Sequence, residues 1–172
     1  MAQFYSPKKE NLIPLTVLQT QAIVLAARLL EGKLPHKFAT DYGSVRFFID
    51  KGMNSDNGVM GFTNFLNSDE ILLSPDIVNG IETKYGDVPD NSEQVSVAIH
   101  ELTHRDQRSW LQGIMFPVLN IPGMDKLTLE KWAKENELAA AEMLNNLYAK
   151  MRLVNKEINK VEETRKGNFN AK

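Results

Sequence analysis

The stretch Val95–Gln107, VSVAIHELTHRDQ, carries two of the chain's three histidines, His100 and His104, with Glu101 directly after the first. Ser92 as N-cap, with Glu93 and Gln94 in the first turn, starts a helix ahead of it. Val95, Ala98, Ile99 and Leu102 then recur at helical spacing, so this helix is packed on one side rather than free in solvent. Residues four apart on a helix lie about 6 Å apart along the axis and about 40° apart around it. His100 and His104 therefore leave one face together and can hold one ion between them. Glu101 lies about 100° round from His100, poorly placed as a third ligand but well placed to reach a water on that ion.

The chain has no cysteine, which excludes disulfides, Cys-based zinc sites and thiol nucleophiles. Any metal site must be built from histidine and carboxylate. Zn²⁺ suits two imidazoles plus a carboxylate, with the fourth position left to water. The pKa of such a water falls from about 15.7 toward 7, and a neighbouring glutamate can take its proton.

At 172 residues, one domain is expected, spanning 1–165 with a flexible tail at 166–172. The formal net charge is −2 and no basic face stands out, which disfavours nucleic acid and anionic membrane as partners. Leu12–Leu30 is the most apolar stretch, but Gln19, Thr20, Gln21 and Arg28 interrupt it. It reads as a buried helix and not as a membrane span or export signal, so a cytoplasmic protein is expected.

The first helix is predicted over Leu15–Glu31, ended by Gly32. Ser44–Asp50 reads as a strand, the next begins near Val59, and Glu70–Pro75 reads as a third. A short helix is expected over Asp76–Tyr85. Gly113–Gly123, broken by Pro117 and Pro122, cannot be helix throughout. A last long helix runs from about Thr128 to Arg165. The predicted class is α+β, with a small three- to four-stranded sheet beside the histidine-bearing helix and the long C-terminal one.

HELTH, preceded by strands and followed by glutamates on a later helix, resembles the gluzincin group of zinc metallopeptidases. The likeness covers about Val59 to Glu142, and small single-domain bacterial and phage members are nearest in size. A metzincin would need glycine at Gln107 and histidine at Trp110. The resemblance implies a zincin-like fold, bound zinc, His100 and His104 as ligands, Glu101 as general base and peptide-bond hydrolysis. It also implies a third ligand within ENELAAAE, where Glu135, Glu137 and Glu142 are candidates. Trp132, Asn136, Ala140, Met143, Leu147 and Met151 define the expected buried stripe of this helix. Glu137 falls at its margin and is the favoured ligand, with Glu142 next.

The same resemblance makes Val59–Phe65 an edge strand that would pair with a peptide or protein substrate through Gly61, Phe62, Thr63 and Asn64. Thermolysin-like gluzincins stabilise the oxyanion with a later histidine and a tyrosine. No histidine follows His104 here, which leaves Tyr148, Tyr85 and Arg108 as candidates. His36, in LPHKF, reads as a loop histidine without a role. An alternative is a catalytically weak or inactive protein of metallopeptidase-like fold that acts by interaction. Leu147, Met151, Val154, Ile158 and Val161 step by four and three, a seam that pairs either with its own domain or with another helix.

Overall fold

Thr16 decides where the first helix starts. Its hydroxyl accepts from Gln19 N at 3.2 Å while Gln19 Oε1 accepts from Thr16 N at 2.9 Å, a reciprocal capping box. Helix α1 (Val17–Leu30) follows, and Gly32 turns the chain out of it at a φ of 70°. The helix is not buried all round. Ile23, Ala26, Ala27 and Leu30 enter the core, whereas Leu18, Leu25 and Leu29 face outward.

The computed structural model describes residues 7–53, 60–63, 69–78, 91–114 and 126–169, without the side chains of 108–114, 126–128 and 166–169. Among these residues the chain is α+β, with four helices and a four-stranded mixed sheet. The strands are β1 (Leu12–Pro14), β2 (Arg46–Asp50), β3 (Gly61–Thr63) and β4 (Glu70–Leu73), ordered β1-β2-β4-β3. Strand β1 lies within the apolar run that reads as helix from sequence. Pro14 is tolerated there because β1 is an edge strand, where a missing backbone N–H costs least.

Strands β2 and β4 run parallel in the middle of the sheet, and β1 and β3 flank them antiparallel. Phe47, Ile71 and Leu73 project from the central strands into a core shared with Ile23, Val95, Ala98, Ile99 and Leu102. Helix α2 is short (Pro75–Val78), and the rest of the helix expected to Tyr85 lies outside the described residues.

Helix α3 (Ser92–Ile114) packs under the sheet and along α4 (Lys126–Phe169). Ser92 meets Asn145, His100 meets Glu137 and Gln107 meets Leu129, so the two helices run antiparallel. Among the described side chains of α4, the buried ones are Ala133, Asn136, Ala140, Leu144 and Tyr148. The expected stripe is thus rotated: Trp132, Met143, Leu147 and Met151 are all partly exposed. The reason is the steady step of four from Asn136 to Tyr148, which follows the ridge of α4 that α3 packs against. Helix α4 also continues to Phe169, past the start of the expected tail. No helix among the described residues is long and apolar enough to cross a membrane.

Candidate metal centre

The hydrogen bonds behind the two histidines determine what faces forward. His100 Nδ1 lies 2.9 Å from Glu137 Oε2, and His104 Nδ1 lies 2.9 Å from Gln107 Oε1. Both oxygens are acceptors, because Gln107 donates through its own Nε2 to Leu129 O at 3.0 Å. Each Nδ1 therefore carries the proton, and each neutral ring presents a bare Nε2 on its other side.

Those two Nε2 atoms face each other at 3.1 Å. Two lone pairs at that distance repel unless something positive lies between them: a proton carried by His100, or a metal ion. Glu130 Oε2 stands 3.5 Å from both. His100, His104 and Glu130 thus form a compact group of possible ligands. A tetrahedral ion with ligands at about 2.0–2.1 Å spaces them about 3.4 Å apart, which the edges of this triangle match. The donor set and its spacing fit Zn²⁺.

Glu137, the favoured third ligand from sequence, is placed differently. It sits on the Nδ1 side of His100 and also accepts from Lys134 Nζ at 2.6 Å. Burial pushes its carboxyl up, but those bonds from His100 and Lys134 outweigh burial and hold it below its ordinary range. Its side chain is 12% exposed, against 51% for Glu130. Burial likewise pushes the His100 imidazole down, yet Glu137, Glu101 and Glu130 together raise it above its usual value. Glu135 instead pairs with His36, and no metal-ligating group among the described residues includes Glu142.

Glu101, next to His100 on α3, packs against the sheet. Its carboxylate lies under β3, so close that a Cβ on Gly61 would sit 2.8 Å from Glu101 Oε1 and 2.9 Å from Val97 Cγ1. Only glycine lets strand and helix approach this far. Thr63 donates to the Glu101 carbonyl at 3.3 Å. Burial pushes the Glu101 carboxyl above the usual range, against the pull of His104 and His100. Gly61, Phe62 and Thr63 form β3 at the end of the sheet order, whereas Asn64 lies outside the described residues.

Tyr148 does not reach the site. It belongs to the core three turns along α4 from Glu137, about 16 Å at the helical rise. Tyr85 and the Arg108 side chain lie outside the described residues.

Two supports had no partners legible in the sequence, although Asn136 lies in the expected stripe and is buried. Gln107 is a polar residue on an otherwise ordinary helix turn, and only the fold brings it to Leu129. Asn136 is fully buried: its Nδ2 donates to His36 O at 3.0 Å and Thr103 Oγ1 at 2.9 Å, and its Oδ1 accepts from His36 N at 2.9 Å. His36 also stacks on Trp132, with ring centroids 4.9 Å apart. It clamps the segment after α1 to α4, a structural role that the loop reading missed. Arg105, beside His104, reaches the other way to Asp41, Asp69 and Ser44 and ties α3 to the sheet.

No family model, curated protein or solved structure matches the chain.

Proposed function

We infer that the protein is a zinc-dependent metallopeptidase of gluzincin type. Its ligands are His100 and His104 through Nε2 and Glu130 through its carboxylate. The observation that carries this reading is the triangle of donor atoms with edges of 3.1, 3.5 and 3.5 Å, with both Nδ1 protons already committed elsewhere. A zinc ion held by these three residues would supply Lewis acidity toward a carbonyl and a water. Glu101 takes the water's proton and passes it to the leaving amine, a task suited to a carboxyl whose pKa is raised by burial. The substrate backbone runs beside β3 as an added strand, which sets the scissile bond over the Glu101 side of α3. Glu137 and Gln107 hold the two rings in the tautomer that binds metal.

Metal stoichiometry tests the ligand set. Wild type should hold one zinc per chain and Glu130→Ala markedly less. If Glu137→Ala empties the site while Glu130→Ala leaves it filled, the third ligand is Glu137, as the helical periodicity favours. Glu101→Gln should keep its zinc and lose about 10²–10⁴ in turnover of a cleaved peptide.

One observation favours a second reading, a metal-holding protein of the same architecture without turnover. Tyr148 is locked in the core, so it stabilises no oxyanion, and a missing oxyanion donor costs about 10²–10³ in rate. Zinc-loaded wild type that cleaves nothing in a broad peptide library would establish that reading instead.

A further inference from the structure

Two glutamates of α4 reach the same imidazole, and they reach different atoms of it. Glu130 Oε2 lies 3.5 Å from His100 Nε2, and Glu137 Oε2 lies 2.9 Å from His100 Nδ1. Seven residues make nearly two turns, so the two side chains leave α4 only about 20° apart around its axis. Local helix geometry therefore gives both carboxylates the same line of approach to α3. Either nitrogen of a neutral imidazole can bind a metal, and both carboxylates are of a kind that zinc accepts. Something beyond these two glutamates has to separate the ligand from the support.

Lys134 supplies the difference. It stands one turn after Glu130 and one turn before Glu137, and its Nζ donates to Glu137 Oε1 at 2.6 Å. With Oε2 already on His100, each oxygen of Glu137 has its own donor, and the carboxylate is held from both sides. Glu130 has no such anchor: among the described residues no lysine or arginine pairs with it, and its near partners are the two histidines. An exposed lysine in an ion pair contributes little as a rule. This one differs because its partner is a mostly buried carboxylate, which water reaches poorly if the lysine is lost.

We propose that Lys134 is a positioning residue that sorts the two carboxylates. By holding Oε1 of Glu137 it keeps that carboxylate behind His100 and leaves Glu130 as the third zinc ligand. The assignment rests on His100, His104 and Glu130 holding zinc, and extends that site to a residue bonded to none of the three donors. Without Lys134, one oxygen of Glu137 stands without a donor beside a site built for a dication. That oxygen then competes with Glu130 for the ion, and takes over part of its role when Glu130 is removed.

Zinc affinity of the full-length chain, read by chelator competition, tests this through a double-mutant cycle. With Lys134 in place, Glu130→Ala should lower the affinity strongly. In a Lys134→Met background the same change should cost at least about tenfold less, the scale on which outer-shell partners act on metal affinity. Removing one positive charge near a cation affects both backgrounds alike, so it cancels from the cycle. A lysine with a merely structural role would leave no coupling to Glu130, which it does not touch. Lys134→Arg, which still donates to Glu137 Oε1, should restore the full cost. Lys134 and Glu130 are both about half exposed, so far-UV circular dichroism should be retained in every variant. A large cost of Glu130→Ala that is equal with and without Lys134 would overturn the proposal and leave the ligand set standing. So would Lys134→Arg chains that behave like Lys134→Met. Wild type that binds no zinc would overturn the metal site itself, and this role of Lys134 with it.

Discussion

His100 and His104 turn their Nε2 atoms toward each other at 3.1 Å because their Nδ1 atoms are held from behind by two different oxygens, Glu137 Oε2 and Gln107 Oε1. The support for one histidine comes from α4 and for the other from α3 itself. Gln107 reaches further, to the backbone carbonyl of Leu129 directly before Glu130. One side chain thus links the orientation of His104 to the position of the third donor.

Gln107→Leu should therefore weaken zinc binding by about 10–100-fold while leaving the three donors in place. A competition titration with a chromogenic chelator reads this directly. Gln107→Glu, which restores an acceptor to His104 Nδ1, should recover more of the affinity than Gln107→Leu retains. Equal affinity in wild type and Gln107→Leu would show that this bond does not orient the ring.

Gly61→Ala should lower both stability and turnover. The added methyl would meet Glu101 Oε1 at 2.8 Å and Val97 Cγ1 at 2.9 Å, and Val97 lies on the packed body of α3. Overpacking of this kind costs about 1–3 kcal/mol, which a urea melt resolves. The displaced carboxylate should cost activity beyond what the lost stability explains, so rates are compared at temperatures where both proteins are folded.

Asn136→Leu should destabilise the fold by about 2–4 kcal/mol, because it leaves the backbone N–H and C=O of His36 without their partner. The first segment to loosen should be the one around His36. Hydrogen exchange at His36 N–H should accelerate before that of α3. An unchanged denaturation midpoint would mean that water replaces the amide at little cost.

Acid sensitivity should trace in part to Asp41. Hydrogen bonding to Arg105 is the largest influence on its carboxyl and carries the pKa from 3.8 down to about 2. A carboxyl whose pKa is lower in the folded state stabilises the fold above its unfolded value. That contribution is present above about pH 4 and is lost as pH falls toward about 2. Asp41→Asn should therefore narrow the gap between urea midpoints measured at pH 6 and pH 3. The effect is modest, since the Asp41 side chain is more than half exposed and well screened.

The parts of this protein that local geometry governs are legible in its amino acids. Gly32 ends α1 as its sequence predicts, and the four-residue spacing of His100 and His104 puts both rings on one face of α3 in any fold that keeps the helix. Short runs rich in aromatic and aliphatic residues likewise mark β2 and β4. What the local pattern cannot carry is the register between elements far apart in the chain. Which α4 carboxylate meets the Nε2 pair depends on how α3 settles against Ala133, Asn136, Ala140 and Leu144. That packing brings Glu130 to the front of the rings and Glu137 to the back of His100. The same register exposes the seam beyond Tyr148 and gives Gln107 and Asn136 their partners. A helical turn fixes neighbours within a few ångströms by covalent connection alone. The meeting of two helices depends on side-chain packing over their whole contact, which only the folded chain decides.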